Sequence, residues 1–161
     1  MARTDNEIRI TPSVLDRLLD YEPDVSSEAP KSRSKSLRDL KNSVRRDLEW
    51  LLNTRRYIED IAENLEETNK SVAVYGLPDF TGASAKGSGE QKRLVKQIEN
   101  ALKVFEPRFL DLKVTIEPLN DLERVLKFRI DARLDVEPAP EPISFDTVFQ
   151  LGSSEFSIKE K

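Results

Sequence analysis

Between Ser36 and Thr54, apolar residues recur in steps of three and four. Leu37, Leu40, Val44, Leu48, Leu51 and Leu52 fall on one face, while Arg38, Lys41, Arg45 and Glu49 point elsewhere. That spacing predicts an amphipathic helix, the best in the chain. Trp50 lies off the centre of the stripe. Asn53 and Thr54 carry side chains that compete with helical hydrogen bonds, so a bend is expected there, followed by a short segment around Tyr57, Ile58 and Ile61. Asn69 to Tyr75 reads as a turn or a single coil. Gly76 to Gly82 reads as a loop that continues through Gly87 and Gly89. A further helix is expected from Ser88 to Phe105, with Leu94, Val95, Ile98, Leu102 and Phe105 on its apolar face. Pro107 stops it, because the residue before a proline is pushed out of the α region.

After Pro107 the period changes to two. Leu110, Leu112, Val114 and Ile116 alternate with Asp111, Lys113 and Thr115, the pattern of a half-buried strand. Val125 to Val136 repeats it, with Phe128, Ile130, Ala132, Leu134 and Val136 on one face, and Asn120-Asp121 supplies the turn between the two. Pro138, Pro140 and Pro142 form an extended break. Ile143–Phe145 with Thr147, Val148 and Phe149 predicts a third strand, and Gly152-Ser153-Ser154 turns into a last one from Glu155 to Lys159. N-terminal helices followed by a small antiparallel β-sheet place the chain in the α+β class.

Upstream of the long helix, Thr11-Pro12 predicts a helix start, with Val14, Leu15, Leu18 and Leu19 on one face and Tyr21-Glu22-Pro23 as its end. Residues 24–35 are rich in Ser, Pro and charge, and Val25 and Ala29 are the only hydrophobic residues among them. The expected organisation is therefore residues 1–35 as an N-terminal helix and flexible linker, then a domain over residues 36–161. Such a helix either docks on a neighbouring chain or packs back on its own domain.

Composition narrows the chemistry. Cysteine and histidine are both absent, which removes disulfides, thiolate nucleophiles, Ser-His-Asp and Cys-His catalysis, and the usual zinc and haem ligands. No catalytic residue, cofactor or metal ligand is assigned. Lys+Arg number 26 against 30 Asp+Glu, a net charge of -4, so the surface is dense in both signs and favours protein partners over nucleic acid. Only Lys31-Ser32-Arg33-Ser34-Lys35 is locally basic, and it reads as solvated linker. No run reaches the ~18–20 apolar residues of a membrane span, and the N-terminus shows no export signal, so a cytoplasmic location is expected.

Three stretches carry a family resemblance. The first is Ser43 to Arg55, ending in Leu52-Asn53-Thr54-Arg55. The second is Gly76-Leu77-Pro78-Asp79-Phe80. The third is Phe105-Glu106-Pro107-Arg108-Phe109, followed by the strands Phe128–Leu134 and Pro142–Thr147. Together they span about residues 36–150 and resemble the TssE family of type VI secretion baseplate subunits and the contractile-phage wedge proteins related to it. The resemblance implies a structural subunit that joins the TssF–TssG wedge, with TssK a further candidate partner. It also implies a place beneath the first ring of the TssB–TssC sheath, in a cytoplasmic baseplate assembled at the inner membrane. A wedge protein of a phage or phage-like contractile particle is the alternative.

The family's lysozyme-like label invites a muramidase reading, which needs two carboxylates. Glu106 is one nominee, but Asp79, Asp111, Glu117 and Asp131 offer a second without any spacing to choose among them. Glu106, Pro107 and Arg108 make better sense as a partner-binding element: a stiff proline flanked by an acidic group and a planar, bidentate donor. The competing reading is a helix-terminating turn whose charges pair within the chain. As an exposed pair the two charges should contribute only ~0–1 kcal/mol to stability, so Arg108→Ala is expected to leave unfolding nearly unchanged.

Overall fold

A computed structural model describes residues 10–19, 23–24, 32–58, 61–62, 64–80, 87–117, 125–150 and 153–160. Among them run helices α1 (Val14–Leu18), α2 (Arg33–Asn53) and α3 (Ser88–Phe105), then strands β1 (Phe109–Ile116), β2 (Val125–Leu134), β3 (Glu141–Gln150) and β4 (Glu155–Glu160). Two 3-10 turns, Thr68–Lys70 and Val72–Val74, lie between α2 and α3. The strands form one antiparallel meander in the order β1-β2-β3-β4, so the α+β class is what the chain adopts.

The two long helices cover one face of the sheet. Leu40, Val44, Leu48, Leu51 and Leu52 of α2, and Leu94, Ile98, Ala101 and Leu102 of α3, share a single core with the inward residues of the strands. In β2 these are Leu126, Phe128, Ile130, Ala132 and Leu134, and in β3 they are Ile143, Phe145, Thr147 and Phe149. The strict alternation matches a sheet with one face dry and one wet. On the wet face, Arg129 bridges Glu117 and Asp146, and Ser144 donates to Asp131.

The structure corrects several local expectations. α1 starts after Ser13, not at Thr11-Pro12. The Ser13 hydroxyl accepts from the Asp16 N–H and donates to the Asp16 carboxylate, satisfying an otherwise orphaned backbone donor, and this reciprocal cap decides the start. α2 begins at Arg33, inside the stretch read as linker, because Ser32 caps it and Arg33 reaches the Glu137 carbonyl at 2.9 Å. The rest of the linker, residues 25–31, and the Asn120-Asp121 turn lie outside the described residues, as do Thr81–Lys86 and Gly152.

Asn53 and Thr54 end α2 where a bend was expected. Thr54 Oγ1 donates to the Trp50 carbonyl at 2.6 Å, and the chain then runs extended beside Leu77. The Leu77 N–H donates to the Thr54 carbonyl at 2.9 Å, and Arg56 N–H to the Leu77 carbonyl at 2.8 Å. This pairing brings the first and second family-like stretches together, and it requires glycine at position 76. Gly76 has φ +100°, and a Cβ there would sit 2.3 Å from the Thr54 carbonyl oxygen.

In β1 the inward face changes phase. Residues 111 and 112 lie opposite Ala132 alone, a bulge in which Asp111 takes φ 52°. Phe109 therefore faces Leu134 and packs towards the Phe145 ring, while Leu110 sits opposite Arg133 on the other face. Leu112 and Ile116 pack against the core and Val114 is buried in it, as expected; Leu110 belongs to the other face.

Candidate partner-binding site

Glu106 is the C-cap residue of α3. Its own N–H still donates to the Leu102 carbonyl, but its φ of -123° and ψ of 73° have left the helix, as a residue before proline must. Pro107 is exposed at the tip, and Phe109 then enters β1. The turn is closed from below by Phe109 N–H donating to the Glu106 carbonyl, and the Arg108 carbonyl accepts from Asp135 N–H beyond the end of β2.

The tight turn folds the Arg108 side chain back on Glu106. Nε donates to Oε1 and Nη2 to Oε2, each at 2.5 Å, a bidentate fork on a carboxylate whose side chain is only 4% exposed. Arg108 Nη2 also donates to Asp47 Oδ2 at 2.8 Å, across 61 residues of chain. The other Asp47 oxygen, Oδ1, accepts from Arg46 Nη2 at 2.9 Å and Nε at 3.2 Å. Arg46 in turn holds Asp16 of α1 at 2.9 Å and lies 5.0 Å over the Trp50 ring. Five charges of alternating sign, Asp16, Arg46, Asp47, Arg108 and Glu106, thus run in one line across three elements.

Electrostatics follow that geometry. Burial works to lower the Arg108 pKa, but the hydrogen bonds and charges of Glu106 and then Asp47 outweigh it and hold the guanidinium more firmly protonated than usual. Arg46 behaves alike: burial lowers its pKa, and Asp47 and Asp16 raise it further than burial lowers it. Tyr75 lies close enough that burial, then the charges of Asp47 and Glu106, push its phenol pKa up. Its ring meets Phe105 edge-on at 5.1 Å, which places the residue before Gly76 beside the same cluster.

Glu106, Pro107 and Arg108 are thus together, but the two charges pair within the chain, and Glu106 is buried. The expectation that they form an exposed, energetically idle pair is overturned. Removing Arg108 would leave a desolvated carboxylate without its partner. What the tripeptide presents outward is Pro107 and the rim of Arg108, whose Nη1 makes no bond among the described residues. Asp47, Arg46 and Tyr75 complete the site and were not singled out from sequence. The signal for Asp47 is its place on the long helix, three residues after Val44 and four before Leu51, a charge at the border of an apolar stripe.

The other acidic residues weighed as a catalytic partner each have an engagement of their own. Asp111 pairs with Arg133, Glu117 with Arg129, Asp79 with Arg55, and Asp131 accepts from Ser144. Among the described residues, no group of three or more Asp or Glu is arranged to hold a metal ion. No helix among them is long and apolar enough to cross a membrane.

A family model described as baseplate wedge protein gp25 matches residues 38–139, more than half of the chain. The chain belongs to the baseplate wedge protein gp25 family. The matched span begins in the first turns of α2 and ends just past β2, so it holds Asp47, Gly76 and the Glu106-Pro107-Arg108 turn together. Membership in the gp25 family makes the chain a structural component of a contractile baseplate, with other baseplate proteins as its partners. A search of curated proteins found no match.

Proposed function

We propose that this chain is the wedge subunit of a type VI secretion baseplate, that it joins the TssF–TssG wedge through the Glu106-Pro107-Arg108 turn, and that it helps initiate the contractile sheath. The observation that carries this reading is convergence. Asp47 from the first family-like stretch, Tyr75 beside the second, and Glu106 and Arg108 from the third all meet at one corner of the fold. A buried fork holds the turn rigid, so Pro107 and Arg108 Nη1 meet a partner with little ordering left to do.

The sheet supports the second half of the proposal. β4 is an edge strand, and edges take up further strands through unpaired backbone groups. The outward N–H and C=O of Phe156 are taken by the Asn53 side chain, so by the alternation of an antiparallel ladder it is Ile158 that points its backbone groups to an incoming strand. A strand of a sheath subunit added at that edge would seat the first ring. The role is architectural and not enzymatic, since both Glu106 oxygens are committed to Arg108.

Pro107→Glu tests the wedge contact without touching the fork. The side chain is exposed, so the change should cost no more than about 1 kcal/mol, the scale of losing a proline's restriction of the unfolded chain. It should nonetheless reduce co-purification with TssF–TssG and halt sheath assembly in cells. Wild-type levels of both would remove the turn from the interface. Failure of the wild-type chain to bind TssF–TssG, with capture of wedge proteins from a phage-like particle instead, would move it to the alternative system. Peptidoglycan turnover by the purified chain, lost in Glu106→Gln, would restore the muramidase reading.

A further inference from the structure

α1 is attached inside out. Its apolar residues Val14 and Leu18 are 72% and 77% exposed, and no residue of the helix is buried. The hydrophobic effect would pack such a helix with those side chains inward. Instead the inward group is Asp16, 16% exposed, which reaches Arg46 of α2. Burial raises its pKa, yet Ser13, Arg46 and Ser43 together lower it further than burial raises it, as befits a carboxylate used as an anchor. With the Asp16 contacts to Arg46 and Ser43 and the packing of Ile10 upstream as its attachments, and no residue of its own buried, the helix sits at the low-stability end of the structure.

The catch of that anchor is shared with the motif turn. Arg46 is oriented towards Asp16 from the far side by Asp47, which gives Oδ1 to Arg46 and Oδ2 to Arg108. Asp47 is 27% exposed, so it is accessible from solvent while still bonded to both arginines. The line holds three carboxylates against two guanidiniums, one negative charge in excess. A basic side chain therefore complements it, and Asp47 is the most exposed carboxylate of the three.

We infer that α1 is a releasable strap, and that an arginine or lysine of a partner bound at the motif turn frees it by drawing Asp47 away from Arg46. Loss of Asp47 leaves Arg46 with Asp16 and the Trp50 ring but no second carboxylate to fix its plane, so α1 detaches and moves freely. Arg108 keeps its fork to Glu106 throughout, so the turn itself does not open. The partner in this step rests on the reading above, whereas the strap and its coupling to Asp47 do not.

The chain has no cysteine, so Leu18→Cys gives a single attachment point for a nitroxide on an exposed site. In the isolated full chain, Arg46→Met, which keeps an apolar stem over Trp50, should raise the ratio of mobile to immobile label about two- to fivefold. Asp47→Asn should move it in the same direction, and Arg129→Gln, on the distant outer face, should leave it unchanged. An unaltered spectrum in Arg46→Met overturns the strap; an unaltered spectrum in Asp47→Asn overturns the coupling. Adding purified TssF–TssG should mobilise the label in the Leu18→Cys chain. Binding without mobilisation refutes release by a partner and leaves the proposed function intact. Absence of binding defeats the proposed function, while the two variants still decide the strap.

Discussion

Asn53 closes the outer edge of β4 at Phe156. Its side-chain amide accepts from the Phe156 N–H at 2.8 Å and donates to the Phe156 carbonyl at 3.0 Å, while also donating to Glu49 at the end of α2. One side chain thereby imitates the residue of a neighbouring strand and joins the last turn of the longest helix to the last strand, 103 residues on. Asn53→Ala should lose both bonds and leave two part-buried backbone groups unmet, for about 1–3 kcal/mol in urea unfolding. Asn53→Asp should cost at least as much, because a carboxylate repels the Phe156 carbonyl. Stability equal to wild type in both variants would show the clip to be incidental.

Arg108→Ala should destabilise the fold by about 3 kcal/mol, the low end for breaking a buried pair, since the guanidinium keeps a solvent-exposed rim. Adding Glu106→Gln to that variant should recover much of the loss, because the group left behind is then neutral. Equilibrium unfolding of the two singles and the double measures the coupling. A purely additive result would mean that the fork does not matter to stability.

Gly76→Ala asks for a Cβ 2.3 Å from a backbone oxygen at a φ of +100°. The dihedral alone costs about 1–3 kcal/mol, and the clash pushes Leu77 off Thr54 as well. A melting temperature within a degree of wild type would contradict the pairing of the two segments.

The bulge at Asp111 makes Phe109 and Leu110 unequal. Phe109→Ala should cost about 2–4 kcal/mol, as truncation of a partly buried aromatic packed against the core does, whereas Leu110→Ala should stay near or below about 1 kcal/mol. The opposite ranking would mean that β1 keeps a single phase along its length.

α1 should respond to acid before the sheet does. Ser13, Arg46 and Ser43 face Asp16 and, against its burial, leave its pKa below the ordinary carboxyl value. A carboxylate with a lowered folded-state pKa contributes its stabilisation at pH above the unfolded value and loses it as pH falls through the folded one. The strap should therefore stay attached at neutral pH and down through the usual carboxylate range of ~4, and detach only below it. Chemical shifts of the Arg17 and Leu19 amides, both hydrogen-bonded in α1, follow the transition. A midpoint above pH ~4 would remove the Asp16 anchor as its cause.

Much of this architecture was legible in the order of residues, because it depends on periods that are local. Steps of three and four placed α2 and α3, and α3 runs over the expected Ser88–Phe105. Alternation placed the four strands, and with them the α+β class. The three quoted stretches pointed to the family whose model matches residues 38–139. What the order could not carry was the choice between neighbours with similar local claims. Ser13 outcompeted Thr11 as a cap through a reciprocal bond with Asp16, and Ser32 began a helix inside a stretch whose composition read as linker. The inward residue of β1 was decided by pairing with β2, since a bulge depends on the strand opposite. The partners of Glu106 and Arg108 were likewise decided by folding. With 56 charged side chains available, sequence offers each arginine many carboxylates, and only the packing of α2 against the end of α3 puts Asp47 within 2.8 Å of Arg108. Coulomb attraction and desolvation depend on distance in space, and that distance exists only once the core has closed.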